Sequence, residues 1–190
     1  MSPSARGPML AIVRLLRTLA VALVLGALAG AVAPKGAVSA SGHAHVALST
    51  LEAGVLRDLN SIRAQHGLAP VRLNVQLTAS AVQHSREMAA DGYFEHNSVD
   101  GTVFWKRIAH WYRSGGFGYW SVGENLLWAS PDVTAPGALD LWMNSPEHRK
   151  NLLTPRWREI GISAVQVHGA PGTYHGLDVT IVTTDFGVRH

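Results

Sequence analysis

Trp142-Met143-Asn144-Ser145-Pro146-Glu147-His148-Arg149-Lys150-Asn151-Leu152-Leu153, and six residues later Glu159-Ile160-Gly161-Ile162, mark the point where the chain changes character. Ahead of this stretch the apolar residues recur at helical spacing; after it they come in runs rich in Ile and Val. A helix through Ala138, Leu141 and Trp142 is expected to end near Ser145. Pro146, with its fixed φ and missing N–H, suits the first position of a second, short helix carrying Glu147, His148 and Leu152. The segments Glu159–Val167 and Leu177–Thr184 read as two strands. His168-Gly169-Ala170-Pro171-Gly172 lies between them, which predicts a long hairpin with a multi-residue turn.

Upstream, Ser49 and Glu52 form a capping-box pattern. Leu51, Val55, Leu59 and Ile62 then repeat at helical spacing, and Gly67 and Pro70 end that helix. Asn74 is placed to cap a second helix, with Leu77, Ala81, His84 and Met88 on one face and Gly92 closing it. Thr102 to Trp111 reads as a shorter helix, and Ser114–Gly118 as a loop. Helices first and strands last argue for an α+β architecture.

The amino-terminal part has a different use. Arg6, Arg14 and Arg17 precede an apolar run from Leu19 to Ala33, and Val38-Ser39-Ala40 supplies small residues for cleavage. Residues 1–40 therefore read as a secretory signal peptide, residues 41–48 as a flexible lead-in, and residues 49–190 as one domain. The apolar run is shorter than the roughly 20 residues a spanning helix needs, so no membrane span is expected in the mature form; an uncleaved membrane anchor is the alternative. The chain carries sixteen Lys and Arg against thirteen Asp and Glu. Four of the basic residues (Arg6, Arg14, Arg17, Lys35) precede Ser41 and no acidic residue does, leaving twelve against thirteen. The basic character belongs to the leader, and nucleic-acid binding is not expected. With no cysteine, disulfides and thiolate chemistry are excluded. An exported protein without cysteine suggests a bacterial cell.

Three segments concentrate ionisable and amide side chains beside glycine or proline at element edges: Phe94-Glu95-His96-Asn97, Gly123-Glu124-Asn125, and residues 142–149. In this order they resemble the CAP superfamily (cysteine-rich secretory proteins, antigen 5 and pathogenesis-related proteins), and within it the cysteine-free bacterial branch. The resemblance starts at Leu59-Asn60-Ser61-Ile62-Arg63 and runs to Asp185-Phe186-Gly187. It implies a three-layer α-β-α sandwich with a surface cleft, lined in many members by two His and two Glu that in some bind a divalent metal. His96 and His148 match the two histidines and Glu124 the first glutamate; Ser145 stands where the second would be.

On chemistry alone, two neutral imidazoles can ligate Zn²⁺ or another divalent metal. Glu124 is then a third ligand, or holds one imidazole in a single tautomer. The expected metal set is His96, His148 and Glu124, with Asn125 and Ser145 lining the cleft. Glu147 is expected to point away from His148 and to be a poor substitute for the missing carboxylate.

The leading expectation is a secreted module whose cleft binds a divalent metal or small ligand, with an extracellular or cell-wall component as partner. A metal-assisted hydrolase of peptide or cell-wall material, with Glu124 as general base, is one alternative. An extracellular protein-interaction domain using the loop from Gly115 to Trp120 is the other. His84 reads as a satisfied core histidine. Trp105, Trp111, Trp128 and Trp142 read as packing residues, and Trp120 as the most exposed tryptophan.

Overall fold

The computed structural model describes residues 48–190. The expected leader and all but the last residue of the expected lead-in lie outside the described residues. Helix α1 spans Thr50–Gln65. Ser49 Oγ accepts from the Glu52 N–H, and Glu52 Oε2 accepts from the Ser49 N–H at 2.7 Å. Both halves of the capping box are thus made, and Glu52 Oε1 also accepts from the Ala164 N–H at 2.9 Å. A two-residue strand β1 (Arg72–Leu73) leads to helix α2 (Val75–Asp91). Asn74 Oδ1 accepts from the Gln76 and Leu77 N–H groups, and Gly92 ends α2 at φ 69°.

Helix α3 (Phe104–Trp111) follows, then strand β2 (Trp120–Ala129), helices α4 (Ala135–Asn144) and α5 (Pro146–Leu152), and strands β3 (Glu159–Val167) and β4 (Val179–Arg189). The predicted hairpin is β3 against β4, antiparallel from Glu159↔Gly187 to Val167↔Val179. Its connection contains a short 3-10 turn at Gly172–Tyr174. The order of helices and strands is a correction to the reading of helices first and strands last. Strand β2 lies between the helices in sequence and pairs antiparallel with β4 over its whole length. The sheet order is β1-β3-β4-β2, so β2 is an edge strand.

Strand side chains alternate between faces, and two different interiors result. Leu127 of β2, Ile160 and Ile162 of β3, and Val182, Phe186 and Val188 of β4 pack with Val55 and Leu59 of α1, Leu139 and Trp142 of α4, and Leu152 and Trp157. Burying each large apolar side chain there is worth about 1.5–3 kcal/mol. The opposite face packs against α2 and α3. There Met88 meets Leu126, Val179 and Ile181, and Leu77 meets Ile108, Tyr112 and Val122. Gly161 lets α2 lie on the sheet, since a Cβ at this position would come 2.0 Å from the Leu77 carbonyl carbon.

Three tryptophan expectations are corrected. Trp142 is buried as expected, but Trp105 and Trp111 are 45% and 38% exposed, because α3 buries only Arg107 and Ile108. Trp120 is half-buried, and its Nε1–H donates to the Tyr112 carbonyl at 2.9 Å.

Candidate functional site

The cleft sits at the free edge of β2, where the two helical layers meet. Consecutive residues of Gly123-Glu124-Asn125 point to opposite faces of the sheet, and each face brings its own histidine. Together with His96, Phe104, Glu147, His148 and Asn151 they line a pocket of about 270 Å³.

On the α2/α3 side, Glu124 is fixed from two directions. His96 Nδ1–H donates to Glu124 Oε1 at 2.8 Å, and Arg107 donates from Nη2 to Glu124 Oε2. Arg107 is itself buried and donates from Nη1 to the His96 carbonyl at 3.0 Å, tying the histidine segment to α3. Asp185 lies directly opposite Glu124 in the β2/β4 register and is fully buried. Ser80 approaches it from α2, yet neither Asp185 oxygen has a well-formed hydrogen bond.

Burial pushes the Glu124 carboxyl up to about 7, against the pull of Arg107. Burial and then the Glu124 carboxylate push Asp185 well above the usual carboxylate range. Two carboxyls this close do not both ionise in a dry interior. Glu124 has Arg107 and His96 to hold its charge, so Asp185 keeps the proton. Burial, followed by Arg107, lowers His96. A neutral His96 that donates through Nδ1–H presents Nε2 as a lone pair.

On the α4/α5 side, Asn125 Nδ2 donates to the His148 carbonyl at 3.1 Å, and Asn125 Oδ1 accepts from Asn151 Nδ2 at 2.9 Å. The Trp157 indole N–H donates to the Asn151 carbonyl at 2.9 Å. A Cβ on Gly123 would come 2.7 Å from Asn151 Oδ1 and 2.9 Å from Trp157. Glycine at 123 is what lets α5 reach the edge strand. Burial, then the neighbouring His96, lowers His148, so both rings are neutral near pH 7.

His96, Glu124, Asn125 and His148 are thus brought together. Ser145 is not: it is the residue between α4 and α5 and does not line the pocket. Its carbonyl accepts from the Arg149 N–H, while its side chain makes no capping bond. Glu147, expected to point away, does line the pocket; in the first turn of so short a helix, two consecutive side chains both reach the opening. Arg107 and Phe104 were not singled out by the sequence, Asp185 figured only as the end of the resemblance, and Asn151 read as a structural residue. A lone acid after the Ile-, Val- and Thr-rich run Val179–Thr184 was the visible signal for Asp185; Arg107 gave none.

The three-ligand metal set does not fit this arrangement. Both Glu124 oxygens are engaged within the protein, one of them by a guanidinium. Among the described residues no three His, Asp or Glu side chains converge to hold an ion. Glu124 is the group behind His96, and the two imidazoles are what face the pocket. His84 is also buried, with Nε2–H donating to the Glu95 carbonyl at 2.9 Å. Its Nδ1 has no hydrogen-bond partner, so the expected core histidine is satisfied on one side only. No helix among the described residues is long and apolar enough to cross a membrane.

Comparison with known proteins agrees with this architecture. The family described as CAP, cysteine-rich secretory protein family, matches residues 56–183. The chain is 33% identical over 120 residues to the uncharacterized protein YkwD of Bacillus subtilis, covering 63% of this chain and 44% of that protein. It is 31% identical over 114 residues to the uncharacterized membrane protein YlbC of the same organism, covering 60% and 31%. The chain therefore spans less than half the length of these relatives. Among solved structures, an extracellular protein containing an SCP domain from Bacillus anthracis superposes with a TM-score of 0.52 at 26% identity, over 75% of this chain and 44% of the other. An outer surface protein of Borrelia burgdorferi does so with a TM-score of 0.53 at 20% identity, over 72% and 90%, a likeness of fold alone. The described residues thus form the α-β-α sandwich of those structures, and the chain belongs to the CAP family of cysteine-rich secretory proteins, as a member without cysteine.

Proposed function

We propose that this CAP domain works outside the cytoplasm as a binding module, taking a small polar ligand between His96 and His148. One observation carries the reading. The Arg107–Glu124–His96 chain commits Nδ1–H of His96 inward and leaves Nε2 as an acceptor on the pocket wall. His148 and Glu147 add a second imidazole and a carboxylate. A pocket lined by acceptors suits a ligand rich in hydroxyl, amide or ammonium donors. At about 270 Å³ it lies just below the range typical of drug-sized ligands, which fits a single sugar or short peptide unit of a cell-wall component. A divalent metal would be held here by two imidazoles alone, more weakly than in a three-ligand site.

The His96–Glu124 pair also favours a second reading, hydrolysis. A neutral imidazole oriented by a buried carboxylate is an arrangement suited to general-base activation of water. In that case the base is His96, and Glu124 holds its tautomer.

The test is ¹⁵N-histidine NMR of the protein titrated with Zn²⁺, N-acetylated sugars and short cell-wall peptides. One ligand class is expected to shift the ring nitrogens of His96 and His148 together. His96→Ala is expected to weaken that binding by about tenfold, the loss of roughly one hydrogen bond between neutral groups. A panel that moves neither ring overturns the binding reading. Turnover of a peptide or glycan that vanishes in His96→Ala, and falls with Glu124→Gln, replaces it with the hydrolase.

A further inference from the structure

A second face of the molecule has a composition that the cleft does not explain. Two grooves of about 690 and 530 Å³ adjoin each other, sharing Arg158 and Arg189. Arg72 and Phe117 line the first, and Arg156 and Tyr119 the second. Neither shares a residue with the cleft. Arg189 pairs with Trp120 in the β2/β4 register, four residues along the strand from Glu124, roughly 13 Å away at the rise of an extended strand.

Four of the twelve Lys and Arg residues beyond residue 40 meet on this face, in a segment whose net charge is minus one. Among the described residues none of the four guanidiniums forms an ion pair with a carboxylate. Residues 1–47 contain no Asp or Glu side chain that could supply one. Glu159 is the one acidic side chain lining the grooves. It already accepts from Asn74 Nδ2 at 2.6 Å and from the Tyr112 hydroxyl.

Three of the arginines are held in place by something other than acids. Arg189 stacks 4.1 Å over the Tyr112 ring and 5.2 Å from Phe117, donating to the Arg113 carbonyl and Gln76 Oε1. Arg156 lies 4.8 Å over Trp157. Arg158 donates from Nη1 to the Pro155 and Trp157 carbonyls. A guanidinium has five N–H donors, so Arg158 and Arg189 each retain N–H groups without a protein partner. Guanidiniums fixed this way lose little freedom on meeting an oxyanion, and their fork geometry matches carboxylate and phosphate alike. Phe117 and Tyr119 are 47% and 40% exposed beside them; Tyr119 stacks one face on His190, and the exposed ring surface that remains is flat and apolar, on which a sugar ring can rest.

The geometry points to this face as a docking surface for an anionic polysaccharide: guanidiniums take its carboxylates, and Phe117 and Tyr119 take its rings. Charge complementarity selects the anion, and the exposed aromatics flanking the arginines select a sugar polymer over a bare polyphosphate. The surface works independently of whatever the cleft binds.

The experiment is a binding titration of the purified protein with polygalacturonate oligosaccharide, with neutral dextran and a DNA duplex of equal charge as controls. Polygalacturonate is expected to bind, weakening as salt is raised, while dextran does not bind. Arg72→Glu/Arg158→Glu is expected to lower the affinity by about tenfold or more, as loss and reversal of charge at a screened surface should. Phe117→Ala/Tyr119→Ala is expected to lower it a few fold. Because Arg158 also bonds its own loop, Arg72→Gln/Arg156→Gln, which breaks no protein hydrogen bond, is run beside it with circular dichroism as the fold control. Undiminished binding in the folded arginine variants, or no binding by the wild type, overturns the proposal. So does a DNA duplex that binds as tightly as the polysaccharide.

Discussion

The two faces of the sheet bury side chains of opposite kinds. Against α1, α4 and α5 the interior is Leu, Ile, Val, Phe and two tryptophans, interrupted by Asn125, Thr180, Thr184 and the Arg63 guanidinium, which donates to the Ala69, Leu152 and Thr154 carbonyls. Against α2 and α3 it contains Ser80, His84, Ser85, Arg107, Glu124, Thr183 and Asp185, all buried. One face gains free energy mainly by removing apolar surface from water. The other encloses carboxyls beside a guanidinium, where the first has the lone Arg63 held by backbone carbonyls, and buried charge is tolerated only while each group keeps its partner. A cleft at the edge between them therefore has a firm wall and a polarisable wall, and His96 stands on the second.

The largest effect that would sharpen this contrast is expected at Trp142. Trp142→Ala removes a fully buried indole from the apolar face along with its hydrogen bond to the Leu126 carbonyl. The expected loss is about 3–5 kcal/mol in urea unfolding, with little dependence on pH. Arg107→Met acts on the other face, leaving Glu124 without its cation, and is expected to cost about 3 kcal/mol near pH 8. Here the loss should shrink as pH falls towards 5. Without Arg107, burial raises Glu124 further, and the folded variant then holds a proton that the unfolded chain releases. A pH-independent loss would mean that Arg107 acts by packing alone, and the two faces would then differ less than their composition suggests. Smaller again, Asn125→Ala removes the polar link between β2 and α5, leaving the Asn151 amide without its acceptor. About 1–3 kcal/mol is expected, together with a change in the His148 ring shifts that a purely apolar truncation would not produce.

Much of the apolar face was legible from sequence. Capping at Ser49, the helical spacing of Val55 and Leu59, and the Ile- and Val-rich runs of β3 and β4 are local signals that the structure uses, with β4 starting at Val179 and running on past Thr184 to Arg189. Strand β2 was not legible as a strand, because Trp120–Ala129 mixes Gly, Glu and Asn with its apolar residues. Its alternation makes sense only once two different interiors are known to lie on either side. The same cause hid half of the cleft's chemistry. Glu124 and His96 belong to short motifs and stood out. Arg107 and Asp185 reach Glu124 through packing and strand register from distant points of the chain, and no local pattern encodes that partnership. Glu147 was misplaced by applying regular helical geometry to the first turn of α5, a helix of only seven residues.

The last test asks which carboxyl holds the proton on the polar face. If Asp185 is the neutral partner, its raised folded-state pKa means that the folded protein keeps a proton which the unfolded chain loses above about pH 4. The wild type then loses stability as pH rises through that window, until the folded group itself titrates. An asparagine side chain at this position carries no such dependence while keeping nearly the same shape. Asp185→Asn is therefore expected to match the wild type near pH 3 and to exceed it by about 1.5 kcal/mol at pH 5, the gap widening by about 1.4 kcal/mol per pH unit until the folded Asp185 itself titrates. For a domain of this size each kcal/mol is a rise in Tm of about 2–4 °C. Thermal unfolding of both proteins across that range decides the matter. A gap that stays flat, or a variant that is less stable at pH 8, would mean that Asp185 is ionised and that Arg107 serves it. Glu124 would then carry the proton and donate it to His96, and Nε2 of His96 would face the cleft as a donor, reversing the kind of ligand the pocket selects.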